Sequence, residues 1–225
     1  TGLIRRLPDI AESGFFNDAF AVKFSENDSL SCETDGKIPN AQSPRASTFE
    51  IDSTTTIRCI DFSDSTKAEI IRTYIFEEKP TIAAVFLTAN PNSLFDPDSG
   101  IYMPGPDAQE EVPHEGANFW LDKEIPVYVE LVESDQNAPA FAKHAGLKIF
   151  GKFSRTNPKK SVSINFDKKY GDRRLLYPLF PEYPELTVFK SFVLRNNGNN
   201  FDQDYSRDRL DSSLSEGLGV DHQRG

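Results

Sequence analysis

A basic stretch at residues 146–165 carries the side-chain types that could bind an anion. Its sequence, GLKIFGKFSRTNPKKSVSIN, places Gly151 and Pro158 between two runs of alternating apolar residues. A glycine permits a sharp turn and a proline interrupts strand pairing, so we expect a β-hairpin with an irregular tip. Backbone N–H groups, the hydroxyl of Ser154 and neighbouring cations at such a tip would suit a phosphate group. The cations of the stretch are Lys148, Lys152, Arg155, Lys159 and Lys160.

The charge distribution along the chain singles out the same region. The chain of 225 residues has a net charge of −10, which argues against general binding to nucleic acids. Residues 143–174, however, carry ten Lys and Arg against two Asp, whereas residues 80–142 carry one Lys and eleven acidic residues. Three explanations of the basic block stay open: an anion site, an acidic partner, and a solvated hairpin that faces the acidic segment.

Length and composition allow one large domain or two small ones. Hydrophobic residues make up 37% of the chain, and 18 Phe and 7 Tyr add large apolar surfaces, so a sizeable core is expected. No apolar run approaches the roughly 18–20 residues that span a bilayer, and we predict no membrane span. The sequence begins without Met and shows no signal peptide, so we expect a piece of a longer protein.

The two cysteines, Cys32 and Cys59, lie in predicted neighbouring strands and could both face inward. A disulfide between them would indicate export from the cytoplasm, whereas buried free thiols would not. Both possibilities stay open from the sequence. The absence of a Cys-x-x-Cys motif argues against a zinc site, and the three histidines are scattered outside any hydrolase motif.

Short strands separated by turn residues fill the first third of the chain. Residues 1–12 are expected to be a tail or linker, and residues 13–77 are expected to form a small β-sandwich. The run 54–62, TTTIRCIDF, is rich in β-branched residues and is a strong strand candidate. The other predicted strands cover residues 20–24, 30–32, 49–51 and 70–75.

The remaining chain predicts a mixture of strands and one helix. The apolar run 82–87 predicts a buried strand, and the alternating runs 125–132 and 189–194 predict two more beside the hairpin. A helix is expected from about residue 205, where Leu210, Leu214 and Leu218 recur every four residues and would form its buried face. The fold class that we predict is therefore mainly β with an α+β second part.

The first part resembles a known type of domain. The segments SGFFNDAFAVKFS, SLSCETDGKIPN, STTTIRCIDF and IIRTYIF follow the order of the Ig-like domain found at the C-terminus of chitobiase and β-hexosaminidase. Residues 33–36 and Pro39 match its characteristic turn. The resemblance covers residues 13–77 and implies an Ig-like β-sandwich of the kind that accompanies extracellular catalytic domains.

The second part resembles the CotH kinase family, the bacterial atypical protein kinases similar to spore coat protein H. The segments LFDPDSGIYMPGP, NFWLDKEIPVYVELVE, GLKIFGKFSRTNPKKSVSINFDKKYG and FKSFVLRNNGNNFDQDYSRDRL follow that family's order. The match covers residues 80–225 and implies an incomplete atypical kinase N-lobe, the N-terminal half of the family's domain. It implies a secreted or surface enzyme that uses ATP and Mg²⁺ to phosphorylate Ser or Thr of a protein partner.

The resemblance also implies roles for individual residues. The turn 151–160 would cover the phosphates of ATP, Lys190 would be the strand lysine that contacts them, and Asp208 would be the acid that positions this lysine. The catalytic acids and metal ligands are expected beyond Gly225, so we expect no phosphate transfer by this chain alone. The implied nucleotide-binding residues are Gly151, Ser154, Arg155, Lys160, Lys190 and Asp208.

A non-catalytic alternative stays open. The chain would then be a surface scaffold or a carbohydrate-associated binding module with cell-wall or polysaccharide partners. Exposed aromatic side chains aligned on one face would support it. The candidates are Tyr102, Trp120, Tyr128 and Tyr183.

Overall fold

The computed structural model shows a chain that is mainly β, with several sheets. It describes residues 10–24, 30–45, 47–63, 69–196 and 207–218. The helices are α1 (Pro91–Phe95) and α2 (Arg207–Gly217), with 3₁₀ helices at Asn118–Trp120, Phe153–Thr156 and Lys168–Tyr170. The strands are β1 (Gly14–Phe15), β2 (Phe20–Lys23), β3 (Leu30–Glu33), β4 (Thr48–Ile51), β5 (Thr55–Asp61), β6 (Glu69–Ile75), β7 (Ala84–Thr88), β8 (Ile125–Val132), β9 (Phe141–Phe150), β10 (Ser161–Asn165), β11 (Leu175–Leu176), β12 (Val188–Phe189) and β13 (Ser191–Leu194).

The backbone divides into two compact units. The first joins Thr1–Pro91 with Tyr128–Lys143, and the second joins Asn92–Val127 with His144–Gly225. The two domains expected from the sequence, 13–77 and 80–225, stay a prediction. None of the helices that the structure describes combines the length and the apolar character needed to cross a bilayer.

The first unit contains two sheets that share one core. One sheet has the strand order β1-β6-β5-β3, and the other pairs β2 with β4. Inward-facing residues of both sheets belong to a single buried cluster, which follows from the alternation of apolar residues along each strand. All five strands that the sequence predicts in this region are confirmed. The cluster consists of Val22, Phe24, Leu30, Cys32, Ile51, Ile57, Cys59, Ile70 and Tyr74.

The two cysteines of this core are joined. Cys32 of β3 lies directly opposite Cys59 of β5 in an antiparallel pair, and a disulfide connects them. Both side chains are buried, as expected for residues that face the core from neighbouring strands. The structure therefore decides between the two possibilities that the sequence leaves open.

A five-stranded sheet has the order β13-β10-β9-β8-β7. The predicted hairpin is formed by β9 and β10, in which Phe150 pairs with Ser161 and Gly146 with Asn165. Strand β13 runs antiparallel along the other side of β10, with Leu194 opposite Val162. The hairpin prediction and the strand at 125–132 are confirmed.

The prediction of a buried strand over residues 82–87 is wrong in its start and its burial. Strand β7 begins at Ala84, and Ile82 is 72% exposed in the bend that precedes it. Four of the five residues of β7 are only partly buried. As the last strand of its sheet it pairs with β8 alone, so neighbouring strands cover it on one side only.

The strand predicted over residues 189–194 is broken at Lys190. Residues Val188–Phe189 pair with β11, whereas Ser191–Leu194 pair with β10. The chain changes pairing partner at Lys190, a change that the alternation of side chains cannot show.

The prediction that α2 has a buried leucine face is also wrong. Leu210, Leu214 and Leu218 are 57%, 58% and 79% exposed. A four-residue repeat places these leucines on one side of a helix, but it does not say what covers them. Residues 219–225 and 197–206, on either side of this helix, lie outside the described residues.

Candidate functional site

The basic turn, residues 151–160, connects β9 to β10 and includes the 3₁₀ helix Phe153–Thr156. Gly151 begins it with a φ of 107°, a conformation that side chains other than glycine rarely adopt. A Cβ atom at Gly151 would also lie 2.5 Å from the hydroxyl oxygen of Ser154. The position therefore requires glycine for its backbone angle and for the close approach of Ser154.

Arg155 fixes the turn to the 3₁₀ helix Asn118–Trp120. Its Nε donates to the carbonyl oxygen of Gly151 at 2.7 Å, which closes the turn on itself. One terminal guanidinium nitrogen donates to the carbonyl oxygens of Phe119 and Trp120, at 3.1 and 3.3 Å. The guanidinium thus bonds carbonyl oxygens of two backbone segments and connects the turn to the 3₁₀ helix.

Lys160 lies inside the turn. Its side chain is 8% exposed, and its Nζ donates to the carbonyl oxygens of Arg155 and Asn157, at 2.5 and 3.0 Å. The ammonium group also lies 4.2 Å from the centre of the Phe119 ring, within the range of a cation–π contact. Burial lowers the pKa of Lys160 from its ordinary value. Lys160 could contact a ligand only if its hydrogen bonds to the carbonyl oxygens of Arg155 and Asn157 were broken.

The end of the turn is locked to β13 by a buried amide. The hydroxyl of Ser161 donates to Oδ1 of Asn196 at 2.8 Å and accepts from the Asn196 backbone N–H at 3.0 Å. Nδ2 of Asn196 donates to the carbonyl oxygen of Lys159 at 2.6 Å. Asn196 is 1% exposed and was not singled out from the sequence. A single Asn that precedes a polar loop gives no indication, in the sequence, that it bonds to a distant strand.

The outer surface of the turn remains available to a ligand. Lys152, Phe153 and Lys159 are exposed, and Ser154 is partly exposed. The turn therefore presents a fixed backbone, one hydroxyl and cationic side chains to solvent, while Arg155 and Lys160 maintain its shape.

The structure does not bring Lys190 to this turn. The backbone carbonyl of Lys190 accepts from the N–H of Phe166 at 2.8 Å, just after β10 ends, whereas the turn enters β10 at Ser161. Ser161 and Phe166 are five residue steps apart, which at about 3.3 Å per step is roughly 17 Å. Lys190 therefore lies at the other end of β10, where its side chain is exposed.

Lys190 lines a cavity of about 450 Å³. We call it the cationic cavity, because four of its six lining residues are Lys or Arg. Sequence reasoning placed three of these cations in a basic block without assigning them a role. The lining residues are Phe166, Asp167, Lys168, Arg173, Arg174 and Lys190.

Asp208 is the second residue of α2, and its side chain lies outside the described part of the structure. Its pairing with Lys190 therefore stays a prediction. Among the described residues, no group of three or more His, Cys, Asp or Glu side chains could hold a metal ion.

The four aromatic residues of the scaffold alternative are partly buried. The indole N–H of Trp120 donates to the carbonyl oxygen of Pro113 at 2.9 Å, and the hydroxyl of Tyr183 donates to Glu216. Burial raises the pKa of Tyr102, and burial with the nearby carboxylate of Glu130 raises that of Tyr128 to about 12. None of the four is an exposed platform.

Comparison of the chain with known protein families, curated proteins and solved structures finds no match.

Proposed function

We propose that this chain is part of a secreted or surface atypical protein kinase of the CotH type. Such an enzyme transfers the γ-phosphate of ATP to Ser or Thr of a protein, with Mg²⁺ as the metal. The chain would supply residues that cover and contact the phosphates of ATP, and none of its residues is assigned to orient the acceptor or to hold the metal.

The basic turn is the observation that carries this proposal. Gly151 brings the backbone close to Ser154, and Arg155 and Lys160 hold the turn rigid through carbonyl oxygens. A rigid, cationic strand–turn–strand with a hydroxyl at its tip suits the phosphates of ATP, because little freedom is lost when the ligand binds. In this account Gly151 and Ser154 face the phosphates. Arg155 and Lys160 hold the backbone of the turn in the position that this requires.

The arrangement of the first unit supports an Ig-like accessory domain over residues 13–77. Two separate sheets pack their inner faces into one cluster, which is how a β-sandwich is built. The disulfide between Cys32 and Cys59 supports a location outside the cytoplasm, because such bonds persist in oxidising compartments.

The scaffold alternative has less support. Its aromatic residues are partly buried and two of them use their polar atoms within the protein. No described surface favours a carbohydrate platform over the basic turn.

Titration of the chain with Mg²⁺-ATP tests the proposal. We expect saturable binding that weakens about tenfold in Ser154→Ala and in Gly151→Ala, because each change alters the tip that faces the phosphates. Gly36→Ala is the matched control, since Gly36 also has a positive φ, of 78°, but lies in the first unit. Equal affinities in wild type and both turn variants would contradict the proposal.

A phosphotransfer assay tests the part that concerns catalysis. We expect no sustained transfer of radiolabelled phosphate from ATP to protein acceptors by the 225-residue chain, because none of its residues is assigned the role of catalytic acid or metal ligand. Turnover by the purified chain would overturn that assignment and leave the nucleotide-binding prediction standing.

A further inference from the structure

The cationic cavity combines a high positive charge with a size suited to a small ligand. Its volume of about 450 Å³ lies within the range of roughly 300–1,000 Å³ that is typical of small-molecule sites. Lys168, Arg173, Arg174 and Lys190 are all exposed, and Asp167 is the only acid among the lining residues. Within the part of the chain that the structure describes, none of the four cations is held in an ion pair with another residue.

Two of these cations lie at the same end of a short pair of strands. Strands β11 and β12 are antiparallel, with Leu175 opposite Phe189. Arg174 directly precedes Leu175 and Lys190 directly follows Phe189, so both cations leave the pair at one end. Like charges placed near each other repel, and an anion between them would remove that repulsion.

Lys168 is held at the cavity by the rigid 3₁₀ helix that it begins. The Asp167 carboxylate accepts from the N–H of Lys169 at 2.9 Å and so caps this helix. The carboxylate of Glu124 accepts from the hydroxyl of Tyr170 at 3.0 Å and pairs with Nζ of Lys169 at 2.9 Å. The side chains of Lys169 and Tyr170 thus contact Glu124, which does not line the cavity.

The floor of the cavity is equally fixed. Phe166 is 5% exposed, and its ring centre lies 6.0 Å from that of Phe192. Its backbone N–H donates to the carbonyl oxygen of Lys190, which fixes the backbones of these two lining residues relative to each other. Lys168 and Lys190 therefore extend from backbone positions that are fixed by hydrogen bonds.

We propose that the cationic cavity binds a chain of two or more phosphate groups. Four cations and one acid call for a multiply charged anion, and arginine presents paired N–H groups that match phosphate oxygens. The phosphate chain comes either from free inorganic polyphosphate or from a nucleotide. This site is separate from the basic turn, since it lies at the other end of β10 and uses Lys168, Arg173 and Arg174, which the proposed function does not need.

Calorimetric titration of the 225-residue chain with inorganic tripolyphosphate, at low salt, tests the proposal. We expect saturable binding that weakens about tenfold in Arg174→Gln and in Arg173→Gln, since each change removes charge-assisted hydrogen bonds to phosphate. Lys123→Gln is the matched control. It removes one exposed positive charge from the same unit, outside the cavity, and should leave the affinity unchanged.

A parallel titration with ATP distinguishes the two sources of the phosphate chain. If Arg174→Gln weakens both ligands, the site accepts a nucleotide; if it weakens tripolyphosphate alone, the site takes free polyphosphate. Both results support the cavity. Amide chemical shifts of Ser154 report on the basic turn and those of Arg173 report on the cavity, so failure of the basic turn and failure of the cavity are separable.

Three results would overturn the proposal: no saturable binding of tripolyphosphate, equal losses in Lys123→Gln and Arg174→Gln, or unchanged affinity in both arginine variants. Amide chemical shifts of the unmodified chain give a readout that does not depend on folding of the variants. Tripolyphosphate should shift the signals of Phe166, Arg173 and Lys190, and a titration that leaves all three unmoved also overturns the proposal.

Discussion

Glu130 is a carboxylate buried within β8. It is 1% exposed, and neither carboxylate oxygen has a partner that meets hydrogen-bond geometry among the described residues. Burial raises the pKa of Glu130 to about 7, although the hydroxyl of Ser13, the charge of Arg72 and the hydroxyl of Thr73 oppose the rise. A group whose pKa is higher in the folded state binds protons more tightly when folded, so ionisation of Glu130 destabilises the fold.

The stability of the chain should therefore fall as the pH rises from about 4.5 to about 7. The cost of ionising Glu130 is absent below its unfolded pKa and complete above its folded pKa, and amounts to roughly 3 kcal/mol. Glu130→Gln should remove most of this slope, measured as the free energy of unfolding in urea at pH 5, 6, 7 and 8. Glu50→Gln, on the exposed face of β4, is the control and should keep the slope. A wild-type slope that survives in Glu130→Gln would contradict this account.

At the scale of an element, the basic turn depends on an ammonium group that bonds its own carbonyl oxygens. Lys160→Met keeps an apolar stem of similar length but leaves the carbonyls of Arg155 and Asn157 without their donor. We expect a loss of about 1–3 kcal/mol in the free energy of unfolding, because buried acceptors are costly to leave unpaired. Fluorescence of Trp120 can follow the transition, since its ring centre lies 5.7 Å from that of Phe119, which Lys160 contacts.

The control for this change is Lys152→Met. Lys152 is exposed at the start of the same turn, and its substitution should change stability by less than about 0.5 kcal/mol. Equal effects of the two substitutions would show that Lys160 does not hold the turn.

The hairpin of β9 and β10 illustrates what the sequence predicts well. Alternating apolar residues, a glycine and a proline follow local rules, and they identified both strands and the turn between them. The break at Lys190 depends instead on a change of pairing partner between β12 and β13, which involves residues distant in sequence. For the same reason the sequence did not show that Arg155 and Lys160 bond to backbone carbonyls, or that Arg174 and Lys190 line one cavity.

At the scale of the whole molecule, the disulfide joins strands β3 and β5 of the first unit across 27 residues of sequence. A bridge that closes a loop of this length restricts the unfolded chain and typically contributes about 2–4 kcal/mol. The double variant Cys32→Ala, Cys59→Ala should therefore unfold at lower urea concentration, and amides of β3 and β5 should exchange with solvent faster. Unchanged exchange in these strands would contradict a stabilising role.

The charge pattern of the whole chain singled out the basic block at 143–174 but did not separate its parts. An anion site is one of three explanations that the sequence leaves open for this block, and the structure divides its residues between the basic turn and the cationic cavity at the two ends of β10. Summed charge carries no information on the direction of a strand or on which cations are bonded internally. In the folded chain Lys160 is engaged within the turn, whereas Lys190 is exposed at the cavity.

A crystal structure of the chain with Mg²⁺-ATP would test the central claim most directly. The account predicts density for phosphate groups against Gly151 and Ser154, with Arg155 and Lys160 still bonded to their carbonyl partners. A nucleotide bound elsewhere, with no density at the tip of the basic turn at saturating ATP, would contradict the assignment of this turn to phosphate binding.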